Sequence, residues 1–176
     1  MEIIISKDLG VVKQAQAIRH QVFTLEQDIP QELDLDGLDT ESIHALVIEK
    51  SVPIATARLT INKDGSSVMA RVAVMEAYRG LGIASKVVSA LIEHAGNIGA
   101  NSIIIHAHNY LRSYYEKFGF QFIREVEIVG EHQLIEMQQV LESDDYEHWL
   151  QLFTMPVSNS NGGIVDLFFG KPCVKR

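Results

Sequence analysis

A change of hydrophobic period at two glycines constrains the fold of this 176-residue chain more than any other feature. Upstream, Val72-Ala73-Val74 is strand-like; downstream, from Gly82 to about Ile98, apolar residues recur every three or four positions, as on the buried face of a helix. Because Gly80 and Gly82 carry no side chain, the backbone amides of the turn can approach a ligand closely. The first amides of a helix also lack intrahelical acceptors and lie at its positive end. This order predicts a site for a phosphate or pyrophosphate group.

Two common phosphate-binding patterns fit this turn poorly. A P-loop requires Gly-Lys-Ser/Thr, and no lysine directly follows Gly82. A dinucleotide fingerprint requires a third glycine, where this chain has Ser85, and an acidic residue after the next strand, where it has His106 and His108.

The remaining patterns predict an α+β fold. Asp8 is expected to cap a helix that runs to about Leu25, and the acidic stretch from Asp28 to Ser42 is expected to be a loop with at most a helical turn. The buried face of that first helix is predicted to hold Val11, Ala15, Ile18, Val22 and Leu25. The other predicted elements are strands at Glu2–Ser6, Ile43–Glu49, Ile54–Ile61, Val68–Met75, Ser102–Ala107, Phe120–Val129 and Leu134–Leu141, with a short helix at Leu111–Phe118 ended by Gly119.

These elements predict one domain over residues 1–142 and an extension over residues 143–176. The domain should hold a mixed, mostly antiparallel sheet of about seven strands flanked by helices, with one right-handed strand–helix–strand crossover. The extension should begin with a helix at Ser143 and end in the apolar segment Ile164–Phe169. We expect it to pack on the domain or on a partner subunit, so a homodimer is possible.

The net charge of −8 and the pI of about 5.3 argue against binding to nucleic acid or to an anionic membrane. Cys173 is the single cysteine, which excludes an intramolecular disulfide and a thiolate metal site. The start of the chain is too short and acidic for a signal peptide, and no apolar run approaches the length of a membrane span. A cytoplasmic protein is therefore expected.

Two blocks of sequence resemble the GNAT superfamily of acyl-CoA-dependent N-acyltransferases. Arg79-x-x-Gly82-x-Ala84 is similar to the pyrophosphate loop of the family, and Tyr114-Tyr115-Glu116-Lys117-Phe118-Gly119-Phe120 is similar to its second signature helix. Upstream, Arg19-x-x-Val22-Phe23-x-x-Glu26-Gln27 and the acidic residues from Glu32 to Asp39 resemble the ElaA-like branch. The resemblance predicts the GNAT fold over residues 1–142.

The resemblance also implies acetyl-CoA as cofactor and a small-molecule or peptide amine as acceptor. The pantetheine arm would run along Val72, Ala73 and Val74, and the acceptor amine would attack the thioester without a covalent enzyme intermediate. Tyr115 would protonate the departing thiolate as general acid. The pyrophosphate would lie on the amides of Arg79, Gly80, Leu81, Gly82, Ile83 and Ala84.

The general base stays open at this stage. Ala70-Arg71 stands where the ElaA-like branch often has Glu-Arg, so the usual strand carboxylate is missing. Glu26, His44 and His108 are the remaining candidates, together with a chain of water molecules. His108 would either hydrogen-bond the cofactor or relay a proton.

Acceptor contacts are predicted on neighbouring strands of the meander and in the upstream segments. Arg58 and Arg71 would either bind a substrate carboxylate or pair with carboxylates of the protein, and the acidic run from Glu32 to Asp39 would either attract a cationic amine or be a solvated loop. His106 and His108 share a strand face, but without a third ligand they predict no metal site. The predicted substrate residues are Arg19, Phe23, Glu26, His44, Arg58 and Arg71.

Two other functions compete with N-acetyl transfer. The first is an enzyme similar to acyl-homoserine-lactone synthases, although the strand after Arg58 enters the tight turn Asn62–Gly65 without the proline-containing turn of those enzymes. The second is a CoA-binding sensor without catalysis, because Ala70 and His108 replace residues that the family usually has there.

Overall fold

Seven strands form one mixed sheet in the order β1-β2-β3-β4-β5-β7-β6. The computed structural model describes residues 1–129 and 132–141, so the helix predicted from Ser143 and the apolar segment Ile164–Phe169 lie outside the described residues. The predicted α+β fold and its strand count are confirmed. The strands are β1 (Glu2–Ser6), β2 (Ile43–Glu49), β3 (Val52–Ile61), β4 (Ser66–Val74), β5 (Ser102–His108), β6 (Gln121–Val129) and β7 (His132–Val140).

Four α-helices lie along the chain within the described residues. They are α1 (Leu9–Arg19), α2 (Gln31–Asp34), α3 (Ile83–Asn97) and α4 (Arg112–Glu116). Helix α3 packs on one face of the sheet over the main core, which includes Leu91 and Ile103, and α1 packs on the opposite face over a smaller cluster around Leu46 and Ala73. Burial of two apolar helix faces against the two faces of one sheet is the main stabilising arrangement of this fold.

The end of the first helix differs from the prediction. The α-helix ends at Arg19 and continues as a π-helix over His20–Glu26, whose wider turns shift the face that each side chain presents. Val22 stays buried, but Leu25 is 59% exposed, so its assignment to the buried face was wrong. The π-helix ends at Glu26, whose carboxylate contacts Arg79 at the edge of the glycine loop.

Strands β4 and β5 are the parallel pair of the sheet, and they separate after a short stretch. Their register runs from Ser66 opposite Ser102 to Val68 opposite Ile104 and goes no further. Between β3 and β4 the register shifts near Arg71, whose φ of 60° is rare for a residue with a side chain. This bulge turns the end of β4 away from β5 and leaves an opening between the two strands.

A buried cluster of charges fixes the acidic segment on the α1 side of the sheet. The side chain of Arg19 is fully buried; its Nε donates to Asp34 at 2.9 Å and its Nη1 to Asp39 at 2.7 Å. Arg58 donates to the same Asp39 Oδ1 at 2.8 Å and to Asp36 at 2.6 Å. The guanidinium groups of Arg19 and Arg58 hold the pKa of Asp39 well below its usual range against the opposing effect of burial, and Arg58 lowers that of Asp36 to about 2.

The same segment also holds the β4 bulge. Arg71 donates from Nη2 to the carbonyl oxygen of Leu33 at 3.1 Å, and its Nε lies 3.1 Å from Asp34 Oδ1. Sequence reasoning left two roles open for the acidic run, and the structure shows carboxylates that are neutralised by arginines of this chain. Arg71, the residue of the β4 bulge with a positive φ, is thereby attached to the acidic segment.

We expect the substitution Asp39→Asn to destabilise the protein by about 3–5 kcal/mol at pH 7, because it leaves two buried guanidinium groups without their shared carboxylate. Urea unfolding followed by circular dichroism measures this loss, with the exposed Asp28→Asn as control.

The pH dependence of that loss has a definite sign. A carboxylate whose pKa is lower in the folded state stabilises the protein above its unfolded pKa of about 4 and loses this contribution as the pH falls further. The difference between the wild type and Asp39→Asn should therefore be constant from neutral pH to about 4.5 and shrink below about 4. A difference that stays the same down to pH 2, or none at pH 7, would contradict the assignment.

Candidate active site

The glycine loop presents a row of backbone amides without backbone partners. Gly80 and Gly82 have φ angles of 75° and 73°, and Gly82 is the N-cap of α3. The loop is bounded by the hydrogen bonds from Arg79 N to Glu76 O and from Lys86 N to Gly82 O. Within the described part of the chain, no backbone carbonyl accepts from the amides of residues 80–85. Unpaired amides at the positive end of a 15-residue helix suit a phosphate or pyrophosphate group.

The strand that leads into this loop has an open edge. Val72 and Val74 pack toward the α3 side, whereas Ala73 belongs to the cluster under α1. Strand β4 pairs with β3 on one side through Thr56 opposite Ala73, but its pairing with β5 has ended by this level. Backbone groups on the opening side are therefore placed to pair with an extended, amide-containing ligand, as a further strand would.

Arg79 joins the end of β4 to the end of the π-helix. Its Nε donates to Val74 O at 3.0 Å, and its two terminal nitrogens donate to the carboxylate oxygens of Glu26, Nη2 to Oε2 at 2.7 Å. The pair is partly exposed, and it lowers the pKa of Glu26. Glu26 is thus held as a carboxylate of reduced basicity, and the positive charge of Arg79 beside the glycine loop is shared with it.

Tyr115 lies in the main core, on the face of the sheet that α3 covers. Only 9% of the residue is exposed, and its ring packs edge-on against Tyr114 and Phe120 at centroid distances of 5.0 and 5.8 Å. Burial raises the pKa of Tyr115 to about 12, so its phenol is protonated at neutral pH. The hydroxyl of neighbouring Tyr114 lies 3.1 Å from Ser85 Oγ and so joins α4 to the first turn of α3.

The predicted substrate residues separate into two groups. Arg19, Arg58 and His44 are buried below the acidic segment and contact its carboxylates or backbone. Arg71 pairs with the same segment and is partly exposed, and Phe23 packs against the cluster under α1. For Arg58 and Arg71, pairing with carboxylates of the protein is the arrangement that the structure contains.

His44 is poorly placed to accept a substrate proton. Its Nε2 lies 2.9 Å from the carbonyl oxygen of Asp39, and burial lowers the pKa of the imidazole. Since a carbonyl only accepts, Nε2 carries the hydrogen and the buried Nδ1 has no hydrogen-bond partner among the described residues. We therefore do not propose His44 as the base.

The histidines of β5 lie on the strand beside the opening. The His108 ring stacks on Tyr110 with centroids 5.2 Å apart, and His106, whose side chain is half exposed, has its Nε2 3.0 Å from Glu136 Oε2. Arg124 donates to the other oxygen of Glu136 at 3.1 Å. No group of three metal-ligating side chains occurs among the residues that the structure describes.

The contact between His106 and Glu136 could not have been found from the sequence. The two residues are thirty positions apart, and they become neighbours only because β7 lies between β5 and β6 in the sheet. Only the alternation along β5, which places His106 and His108 on one face, was available as a signal.

Comparison with known proteins identifies the family of this chain. The model of the acetyltransferase (GNAT) family matches residues 13–120. The chain is 30% identical over 129 residues to the uncharacterized N-acetyltransferase YjcF of Bacillus subtilis, covering 73% of this chain and 91% of that protein.

Two solved structures have the same fold. Escherichia coli ElaA superposes with a TM-score of 0.70 at 25% identity, covering 78% of this chain and 98% of that one. An acyl-CoA N-acyltransferase from Pseudomonas aeruginosa superposes with a TM-score of 0.72 at 22% identity, covering 80% of this chain and all of that one. The family match, together with the amide-lined loop beside an open strand edge, shows that the chain belongs to the acetyltransferase (GNAT) family and is an acyltransferase enzyme.

Proposed function

We propose that this protein transfers the acetyl group of acetyl-CoA directly to the primary amine of a small molecule or peptide. The observation that carries the proposal is the row of unpartnered amides from residue 80 to 85, directly after the open edge of β4. A pyrophosphate and an extended amide chain are joined in that order in coenzyme A. When bound, the cofactor supplies a thioester carbonyl that an amine can attack.

Different residues of this chain would bind different parts of the cofactor. The amides of Gly80, Leu81, Gly82, Ile83 and Ala84 would donate to the pyrophosphate, and Arg79 would add positive charge shared with Glu26. The backbone of Val72–Val74 would bind the pantetheine arm, and His108 would contribute a hydrogen bond beside it. Binding by backbone amides explains how a chain of net charge −8 can hold a cofactor with several phosphates.

Tyr115 is proposed as the general acid. Its phenol remains protonated at neutral pH because burial raises its pKa to about 12, so it can donate to a departing thiolate. Glu26 is proposed as the partner of Arg79 rather than as the base, because that arginine lowers the pKa of its carboxyl group.

Location and assembly are also proposals. No described helix is long and apolar enough to cross a membrane. We propose a cytoplasmic location and no binding to nucleic acid, on the ground of the net charge of −8. The apolar segment Ile164–Phe169 of the sequence supports a homodimer as a further proposal.

A structural feature and an assay separate the acetyltransferase from the two competing functions. The tight turn between β3 and β4, closed by Asn62 N donating to Ser66 O at 2.8 Å, supports the acetyltransferase over an acyl-homoserine-lactone-synthase-like enzyme. Release of free thiol from acetyl-CoA, followed with ethanolamine, 2-phenylethylamine, spermidine, glucosamine and an alanine-initiated peptide, separates the acetyltransferase from a sensor. Turnover with at least one amine is expected. Tight CoA binding without turnover across the panel would favour the sensor.

The loop assignment predicts that Gly82→Val weakens CoA binding about 10- to 100-fold in isothermal titration calorimetry. A β-branched residue cannot adopt the positive φ without strain, and its side chain occupies the space in front of the amides. Gly99→Val is the matched control: its φ is 78° and an added Cβ likewise meets no atom within 4 Å, but it lies at the far end of α3. Equal loss of affinity in both variants, or in neither, would refute the assignment.

The acid assignment predicts that Tyr115→Phe lowers kcat by about 10²- to 10⁴-fold while the Kd for CoA stays near the wild-type value. Tyr114→Phe, the control, loses the bond to Ser85 and about 1 kcal/mol of stability, with turnover near that of the wild type. Because the pKa of Tyr115 is about 12, its ionisation should not reduce the wild-type rate at any pH up to about 10. Turnover that does not respond to Tyr115→Phe would contradict its role.

A further inference from the structure

His106 lies in a row of polar side chains that crosses the α1 side of the sheet. His44 pairs with Arg58 between β2 and β3, and Arg58 pairs with Ala70 between β3 and β4. On the far side of the opening, His106 pairs with Glu136, which is followed on β6 by Arg124. Continuing the parallel register beyond Val68 opposite Ile104 places Ala70 at the level of His106. The row is therefore interrupted by a methyl group at the opening.

The contact with Glu136 sets the tautomer of His106. Glu136 is an ionised carboxylate at neutral pH, since Arg124 and then His106 lower its pKa. An ionised carboxylate only accepts hydrogen bonds, so the imidazole Nε2, at 3.0 Å, must carry the hydrogen. The lone pair is then on Nδ1. Half of the His106 side chain is exposed, whereas Glu136 beneath it is only 18% exposed.

The surroundings of His106 contain few competing charges. Glu136 on β7 and Arg124 on β6 form the ion pair described above, and His108 lies two residues along β5 on the same face. On β4 the residue at this level is Ala70, and the adjacent Arg71 is paired with Asp34 and Asp36 of the acidic segment. Tyr115 lies in the main core on the α3 side, whereas His106 is on the α1 side, so the proposed acid and His106 lie on opposite faces of the sheet.

We infer that His106 is the general base of acetyl transfer and that Glu136 is the positioning residue that fixes its tautomer. The inference rests on the proposed function. It gives this chain a base on β5 at the level where β4 carries Ala70, and it uses a half-exposed histidine instead of the buried His44. A histidine held by a carboxylate through one nitrogen, with the other nitrogen toward the substrate, is an arrangement suited to proton removal.

The proton and electron balance of the step is complete. Nδ1 of His106 takes one proton from the acceptor ammonium group, and the free amine nitrogen forms a bond to the acetyl carbonyl carbon while the carbon–sulfur bond breaks. Tyr115 gives its proton to the departing sulfur, and the nitrogen of the new amide gives up its second proton, which restores the phenol. His106 releases its proton to water. The net products are the acetylated amine, free CoA and one proton.

The test compares His106→Gln with the wild type and with His94→Gln, a histidine in the last turn of α3 on the other face of the sheet. With the best amine of the panel above, we expect kcat for His106→Gln to fall about 100-fold at pH 7. The Kd for CoA by calorimetry should be unchanged. The deficit should shrink as the pH rises, because the fraction of free amine increases about tenfold per pH unit below the amine's own pKa.

Two further variants separate catalysis from structure. Glu136→Gln should lower kcat by about tenfold and alter the pH–rate profile, because an amide can donate to Nε2 and so permit the wrong tautomer. Arg124→Gln removes the other partner of Glu136 and should leave kcat within about threefold of the wild type, as for an exposed ion pair.

Each result distinguishes the inference from the proposed function. Wild-type protein that binds CoA but acetylates no amine would overturn both. Wild-type turnover with an unchanged rate in His106→Gln would overturn the inference and leave the acetyltransferase standing. A deficit of the same size at every pH, or an equal deficit in Arg124→Gln and His106→Gln, would show a structural role of the cluster and would also overturn the inference.

Discussion

The bridge that Asp39 makes between Arg19 and Arg58 is the interaction on which the α1 side of the sheet depends. Its carboxylate receives a hydrogen bond from each guanidinium group, and all three side chains are nearly or fully buried. Burial of charges costs several kcal/mol per ion unless the partners are complete. Here Asp34 and Asp36 complete them, so the whole cluster is one cooperative unit that attaches helix α1 and the acidic segment to β3.

The cluster also supports the bulge of β4 beside the opening between β4 and β5. Arg71 reaches the acidic segment from the one position of β4 with a positive φ, and the bulge at that position lies just beyond Val68, the last residue of β4 that pairs with β5. The opening therefore has a rigid support on one side and the glycine loop at its end. Recognition of the cofactor is assigned to backbone amides, whereas the proton transfers are assigned to Tyr115 and His106. This division leaves side-chain changes such as Ala70 compatible with the binding of CoA.

Part of the negative charge of this chain is neutralised inside the buried charge cluster. Asp34, Asp36 and Asp39 contribute three of the acidic residues in the −8, but they are paired with Arg19, Arg58 and Arg71. The acidic segment is therefore no argument for a cationic acceptor. The binding of an anionic cofactor is equally independent of the total, because amides at the start of α3 carry no formal charge.

The sequence by itself determined most of the elements and the position of the glycine turn. Alternating and helical periods gave β2, α3 and β5 nearly to the residue, and Gly82 marked the start of α3 because only glycine adopts a positive φ readily at such a turn. Tyr115 is proposed as the acid from its place in a resembling motif. These features are local, so a short stretch of residues is enough to predict each of them.

Only the tertiary structure decided which charged side chains meet. Arg19 and Asp39, or His106 and Glu136, are twenty and thirty positions apart and carry no spacing pattern. Their contacts follow from the order of strands and from the way that the acidic segment folds back on the sheet. A carboxylate reads the same in sequence whether it faces water or a buried arginine, because its burial and its partners are properties of the assembled fold and not of its neighbours in the chain.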